Sequence, residues 1–166
     1  MHHDLHAESS LVFQRFLKNL RKILEKARDH AAAHKIDEAA ILGARLFPDM
    51  FPMSRQVQIA SDSAKGAVAR LAGMEIPSFP DVEKTFDELM ARVDKTLAFI
   101  DAVPPRAFAG AAERQIVLSF PSFRREFNGA DYLRTWALPN FYFHITTAYA
   151  LLRSNGVPVG KMDYLG

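Results

Sequence analysis

The closing stretch of the chain, residues 138–156, reads Leu-Pro-Asn-Phe-Tyr-Phe-His-Ile-Thr-Thr-Ala-Tyr-Ala-Leu-Leu-Arg-Ser-Asn-Gly. Together with the residues before it, this stretch predicts a helix over about 131–154. One face of that helix is expected to hold Leu133, Ala137, Asn140, His144, Ala148 and Leu151. Two polar side chains, Asn140 and His144, therefore stand one helical turn apart where core residues belong.

Three segments upstream show helical spacing as well. Apolar residues recur at spacings of three and four residues over 11–34 and over about 81–102. A less apolar segment over about 53–71 ends at Gly73, a residue type that commonly closes a helix. Asp81 and Glu83 are expected to lie in the first turn of the third helix, where its dipole favours carboxylates.

The pattern changes from helical spacing to alternation before the last helix. Ile116, Leu118 and Phe120 alternate with polar or smaller residues, and Pro121-Ser122 can turn the chain. This pattern predicts a small β-hairpin over 113–127. Four helices joined by short linkers, with this hairpin inserted, predict an all-α protein that is a four-helix bundle.

Length and composition limit the possible classes of protein. The 166 residues, 49% of them hydrophobic, suit one domain, placed at 9–166 after a flexible N-terminus at 1–8. The absence of cysteine excludes disulfides and cysteine-based metal sites. With 21 basic and 19 acidic residues, no nucleic-acid partner is expected. No apolar run is long enough for a membrane span and no signal peptide is evident, so we expect a cytoplasmic protein without a membrane partner.

A polar pocket inside the bundle is the main site hypothesis. Gln58 and Asp62 on the second helix are also four residues apart. If that stripe faces the one on the last helix, Gln58, Asp62, Asn140 and His144 form a polar pocket that binds a small molecule or water. The alternative is an inert network in which these groups satisfy one another. His144 could serve as a base or as a single metal ligand.

The other five histidines are interpreted as surface residues. His30 and His34 have the spacing of a helical metal pair, but no third ligand stands near them in the sequence. His2, His3 and His6 belong to the flexible N-terminus.

The closing segment 138–166 resembles the DUF1993 family of uncharacterised bacterial proteins. The resemblance extends to Asp49-Met50-Phe51-Pro52, to 108–114 and to Asn128-Gly129, and so covers about residues 9–166. The family is similar in turn to the DinB/YfiT-like superfamily of metal-dependent enzymes. That resemblance implies an up-down-down-up bundle and a homodimer.

The same resemblance bears on metal binding. The superfamily commonly holds a divalent metal such as zinc or nickel with three histidines, one from the second helix and two from the last. His144 matches one of these positions, whereas Asn140 and the neighbourhood of Gln58 match the other two. Amides are poor ligands for zinc or nickel. Three hypotheses follow: a small-molecule-binding bundle, a metal-dependent transferase or hydrolase, and a structural dimer.

Overall fold

The computed structural model describes residues 4–166, and most of that range is helical. In chain order the helices are α1 (Val12–His34), α2 (Glu38–Leu42), α3 (Met53–Ala72), α4 (Phe86–Ala102), α5 (Gly129–Asp131), α6 (Leu138–Ser154) and α7 (Lys161–Leu165). The strands are β1 (Gln115–Phe120) and β2 (Phe123–Asn128). The prediction of a four-helix bundle with a small hairpin is confirmed, since α1, α3, α4 and α6 form the bundle. No helix within residues 4–166 is long and apolar enough to cross a membrane.

Contacts between the long helices fix their directions. Helix α4 runs antiparallel to α1, as shown by the hydrogen-bonded pairs Arg28–Asp87, Arg21–Asp94 and Gln14–Asp101. Helix α6 runs parallel to α1, as shown by the ring contacts Phe13–Phe141 and Phe16–Tyr142. Helix α3 runs antiparallel to α6, as shown by the hydrogen-bonded pairs Ser63–Asn140 and Gln56–His144. The directions are therefore up, down, down and up, as the resemblance implied.

The core is built from the apolar stripes that the sequence predicts. Along α1 the buried stripe consists of Phe13, Leu17, Leu20, Ile23, Leu24 and Ala27. Phe13 of α1 meets Phe141 of α6 edge to face, with ring centroids 4.8 Å apart. Both rings and Phe86 of α4 are fully buried, so aromatic side chains supply much of the apolar area removed from water.

The first helical segment begins before its predicted start at residue 11. A π-helical segment over Ala7–Leu11 runs directly into α1. Leu5 is buried in the core, and Ser9 is buried within the helical segment. The flexible N-terminus at 1–8 stays a prediction. Leu5, which falls within that range, is packed in the core, and residues 1–3 lie outside the described part of the chain.

Helix α4 begins five residues later than predicted. Thr85 caps it, and Glu88 completes a capping box by accepting from the Thr85 backbone N–H. Asp81 and Glu83 precede the helix and pair with Arg92. The prediction that these two carboxylates lie in the first helical turn is wrong, because both precede the Thr85 cap and pair there with the buried Arg92 guanidinium.

The last helix keeps its course past Pro139. A π-helical segment over Tyr132–Ala137 precedes α6, and Pro139 lies in the first turn of α6. A wider turn at this point takes up the missing proline N–H and the bulk of its ring. The helix type therefore changes directly before Pro139, and the helix continues through the proline.

The hairpin and the closing segment cover two sides of the bundle. Strands β1 and β2 pair antiparallel from Gln115–Asn128 to Phe120–Phe123, which confirms the predicted hairpin. Helix α7 packs against α1, where Asn19 donates to the Tyr164 carbonyl.

Candidate functional site

The imidazole of His144 is held by a glutamine on α3. Nδ1 of His144 lies 2.7 Å from Oε1 of Gln56, and Nε2 of Gln56 donates to the carbonyl of Phe51 across 3.0 Å. A carbonyl only accepts, so the Gln56 atom that faces Phe51 is the amide nitrogen, and Oε1 must accept from His144. The proton of the imidazole is thereby fixed on Nδ1, and Nε2 keeps its lone pair.

His144 is neutral at physiological pH. It is only 9% exposed. Burial, followed by the positive charge of Arg55, lowers the pKa of His144 to about 4. The imidazole therefore acts as a neutral hydrogen-bonding group.

Gln58 is directed away from His144. Its Nε2 donates to Glu83 across 2.9 Å, and its Oε1 accepts from Arg55 across 3.3 Å. These contacts do not bring Gln58 into one pocket with His144, as the site hypothesis expected. The glutamine beside His144 is Gln56, two residues earlier on α3.

Asp62 belongs to a buried ion cluster between α3 and α4. Its carboxylate lies 2.7 Å from Lys65 Nζ and 2.9 Å from an Arg92 nitrogen. The Arg92 side chain is 2% exposed and also pairs with Asp81 and Glu83, each at 3.0 Å. Such a cluster fixes the segment before α4 against α3.

Asn140 is bonded to the residue that follows Asp62 on α3. Its Nδ2 donates to the Ser63 hydroxyl across 2.8 Å. Both residues line an open cleft of about 450 Å³ bounded by α3, the Tyr132–Ala137 segment, α6 and the hairpin. Asp62 also lines this cleft, whereas His144 and Gln58 do not. The structure thus brings two of the four predicted site residues together at one cavity.

A second polar group in the cleft is the guanidinium of Arg70. Its Nη1 lies 3.2 Å from the Tyr132 hydroxyl oxygen. Within the described part of the chain, Arg70 pairs with no carboxylate, and this is its one side-chain hydrogen bond. A Cβ at Gly66, one turn earlier, would lie 2.8 Å from the same Nη1. The glycine therefore leaves room for the guanidinium at the cleft wall.

Aromatic rings form the opposite wall. Phe120 and Phe123 of the hairpin have centroids 4.9 Å apart, and Phe123 lies 5.6 Å from the ring of Trp136. All three residues line the cleft. The Arg125 guanidinium lies over Trp136 at 5.1 Å from its centroid, on a cation–π geometry that orients the indole.

Sequence reasoning missed Gln56, Arg70 and Arg92. Gln56 and Gln58 are both buried on a helix that is buried nearly all round, so periodicity does not choose between them. The spacing of Gly66 and Arg70, one helical turn apart, is the signal that could have drawn attention to the cleft.

The donor set does not fit the metal that the superfamily resemblance implies. The oxygen of Gln56 already accepts from His144, the amide nitrogen of Asn140 is bonded to Ser63, and both polar ends of Gln58 are occupied. Across residues 4–166, no group of three or more histidine, cysteine or acidic residues is arranged to hold a metal ion. We derive no chemistry through a metal.

The other histidines among residues 4–166 do not line the cleft. His30 and His34 have ring centroids 4.1 Å apart, and Nδ1 of His34 hydrogen-bonds to the His30 carbonyl oxygen. His6 packs edge-on against Phe108. His2 and His3 lie outside the described residues.

Comparison with known proteins places this fold in a family context. Residues 5–165 match the family described as "Domain of unknown function (DUF1993)". A crystal structure of a DinB family member protein from Shewanella denitrificans is 42% identical, with a TM-score of 0.90, over 98% of this chain and 92% of that one. No curated protein matches the chain. The homodimer and the cytoplasmic location stay predictions.

Proposed function

Since the chain belongs to the DUF1993 family and has the DinB-like bundle fold, we propose that it binds a small molecule in the cleft between α3, α6 and the hairpin. Function resides in sites and not in folds, so the proposal depends on the cleft itself. The observation that carries it is the lining: Asn140 and Asp62 converge there with four aromatic rings around a volume of about 450 Å³.

The size and the mixture of side chains support ligand binding. Small-molecule sites typically occupy about 300–1,000 Å³ and combine apolar walls with a few placed polar groups. Ile59, Leu118 and Trp136 supply apolar wall, while Asn140 and Ser63 supply polar groups. The Asn140 amide donates one hydrogen to Ser63, so its carbonyl oxygen and the Ser63 proton are left for a ligand.

His144 supports the site from behind. It is one turn after Asn140 on α6, and its bond to Gln56 ties α6 to α3 at the end of the shared helix contact. We propose that His144 keeps the two cleft-forming helices in register and does not touch the ligand.

A fragment screen tests the proposal. Ligand-observed NMR is run with mixtures of small organic fragments on the unmodified protein, on Ser63→Phe, which fills the cleft, and on Ser154→Phe, a matched change at the exposed end of α6. We expect fragments that bind the unmodified protein and Ser154→Phe but lose binding to a folded Ser63→Phe. The absence of any fragment that depends on the cleft would contradict the proposal.

A further inference from the structure

Arg70 is a charged group with unused binding capacity. A guanidinium has five N–H donors, and the Tyr132 hydroxyl takes one from Arg70. No carboxylate in the described part of the chain neutralises it. By contrast, the other arginine at the cleft, Arg55, is paired with Asp81.

The surroundings keep that guanidinium at the cleft. Gly66 leaves the space next to Nη1 empty, and a Cβ there would come within 2.8 Å of that atom. Tyr132 is 2% exposed, so its hydroxyl is a fixed acceptor for Arg70. The hydroxyl keeps its own proton as a second donor. The two groups together present N–H and O–H donors side by side, which suits the two oxygens of a carboxylate.

The local charge favours an anion. Among the described residues that line the cleft, Asp62 is the one carboxylate, and it is paired with the buried cations Lys65 and Arg92. Arg55 and Arg70 line the same space. Because Arg55 is paired with Asp81, the excess positive charge that a ligand carboxylate would meet is that of Arg70.

The opposite wall selects the body of the ligand. Phe123 lies between the rings of Phe120 and Trp136, at centroid distances of 4.9 and 5.6 Å. Aromatic rings prefer offset or edge-to-face contact with a further ring at such distances. A planar aromatic ring is the kind of ligand body that such rings would pack against.

We propose that the cleft binds small aromatic carboxylates, with the carboxylate on Arg70 and Tyr132 and the ring against Trp136 and Phe123. This assignment rests on the proposed function, because it names the ligand class of the same cleft. Arg70 would supply affinity for the charge, and the hairpin aromatics would supply preference for a planar body.

The chain carries its own reporter for this binding. Trp136 is the single tryptophan of the sequence, and it lines the cleft. Its fluorescence therefore reports on this cavity without labelling. Calorimetry on the same samples measures the dissociation constant independently of the optical signal.

The experiment titrates benzoate, cyclohexanecarboxylate, benzyl alcohol and acetate into the full chain. We expect benzoate to bind, with at least tenfold weaker binding of each of the other three. Arg70→Gln should weaken benzoate binding at least tenfold while leaving benzyl alcohol within twofold, and Arg70→Lys should recover part of the loss. The matched control Arg153→Gln, at the exposed end of α6, should bind benzoate as the unmodified protein does.

Several results would overturn the assignment. Equal binding of benzoate and acetate would remove the aromatic contribution, and unchanged benzoate binding by Arg70→Gln would remove the role of Arg70. No benzoate binding would refute the ligand class alone if the fragment screen still finds ligands that depend on the cleft. If that screen also finds none, the proposed function fails as well.

Discussion

Nδ1 of His144 donates to Oε1 of Gln56 across 2.7 Å, and this bond joins α6 to α3 beside the cleft that we assign to ligand binding. The glutamine cannot turn round, because its amide nitrogen donates to the Phe51 carbonyl. The pair therefore holds a neutral imidazole with one defined proton position. This relationship has a consequence for stability that can be measured against pH.

The pH dependence of unfolding should show the lowered pKa of His144. The pKa of His144 is about 4 in the folded chain, whereas the ordinary value of a histidine, which applies to the unfolded chain, is 6.5. Between these values the unfolded chain binds a proton that the folded chain does not, so stability rises with pH across that window. We expect protonation of this group in the unfolded chain to lower the unfolding free energy by about 3 kcal/mol as pH falls from 6.5 to 4. Urea unfolding of the unmodified protein and His144→Gln checks this: the variant should have a flatter pH profile there, and identical slopes would refute the assignment.

Arg92 is predicted to be the cation on which the segment before α4 depends. Its side chain is 2% exposed and pairs with Asp62, Asp81 and Glu83. Arg92→Met would leave the mostly buried Glu83 without its cation, at a cost of about 3–5 kcal/mol in unfolding free energy. Lys95→Met is the matched control, because Lys95 is exposed and contacts only the face of the Phe79 ring among the described partners. We expect a change below about 1 kcal/mol for it.

The pH dependence of the Arg92 variant gives a second check. Burial raises the pKa of Glu83, but the hydrogen bond and charge of Arg92 outweigh it, so that the pKa lies below 4.5. Glu83 therefore adds stability above its ordinary pKa, and that contribution is lost as pH falls through the lowered value. In Arg92→Met the hydrogen bonds from Gln58 and the backbone still lower the pKa of Glu83, but the largest lowering contribution is gone. The deficit should therefore shrink as pH falls from 7 toward 4. A deficit that is independent of pH would show that the loss comes from packing.

Gly129 should tolerate no side chain. A Cβ there would lie 1.8 Å from the backbone carbonyl oxygen of Ala111, where a main-chain segment, and not a flexible side chain, would have to move. We expect Gly129→Ala to lower the unfolding free energy by about 3 kcal/mol. Gly160→Ala is the control, since nothing lies within 4 Å of its added Cβ. Thermal unfolding of both variants compares them directly, and equal midpoints would contradict the packing of the hairpin junction.

The bundle could be predicted from the sequence because each long helix carries a local signal. The α1 stripe and Gly73, which closes α3 at φ +68°, depend only on neighbouring residues. Asp81 and Glu83 show where such reasoning ends. Their partner Arg92 is close in sequence, yet its burial against α3 depends on the packed fold.

The candidate site could be predicted only in part. Asn140 and His144 are one turn apart on α6 as expected, but one lines the cleft and the other lies behind it. Residues two positions apart on a helix are separated by about 200°, so Gln56 and Gln58 point to different sides of α3. The aromatic wall joins hairpin residues to Trp136, a juxtaposition that no local pattern contains.

The most direct test of ligand binding in the cleft is a nitrogen–proton NMR titration of the full chain with benzoate. The indole N–H of Trp136 gives one side-chain signal, because the chain has one tryptophan. We predict saturable shifts of that signal and of the Asn140 side-chain amide, with signals from His30 and His34 unmoved. Shifts that are absent at Trp136 and Asn140, or that appear equally at the distant end of α1, would contradict the binding of aromatic carboxylates in the cleft.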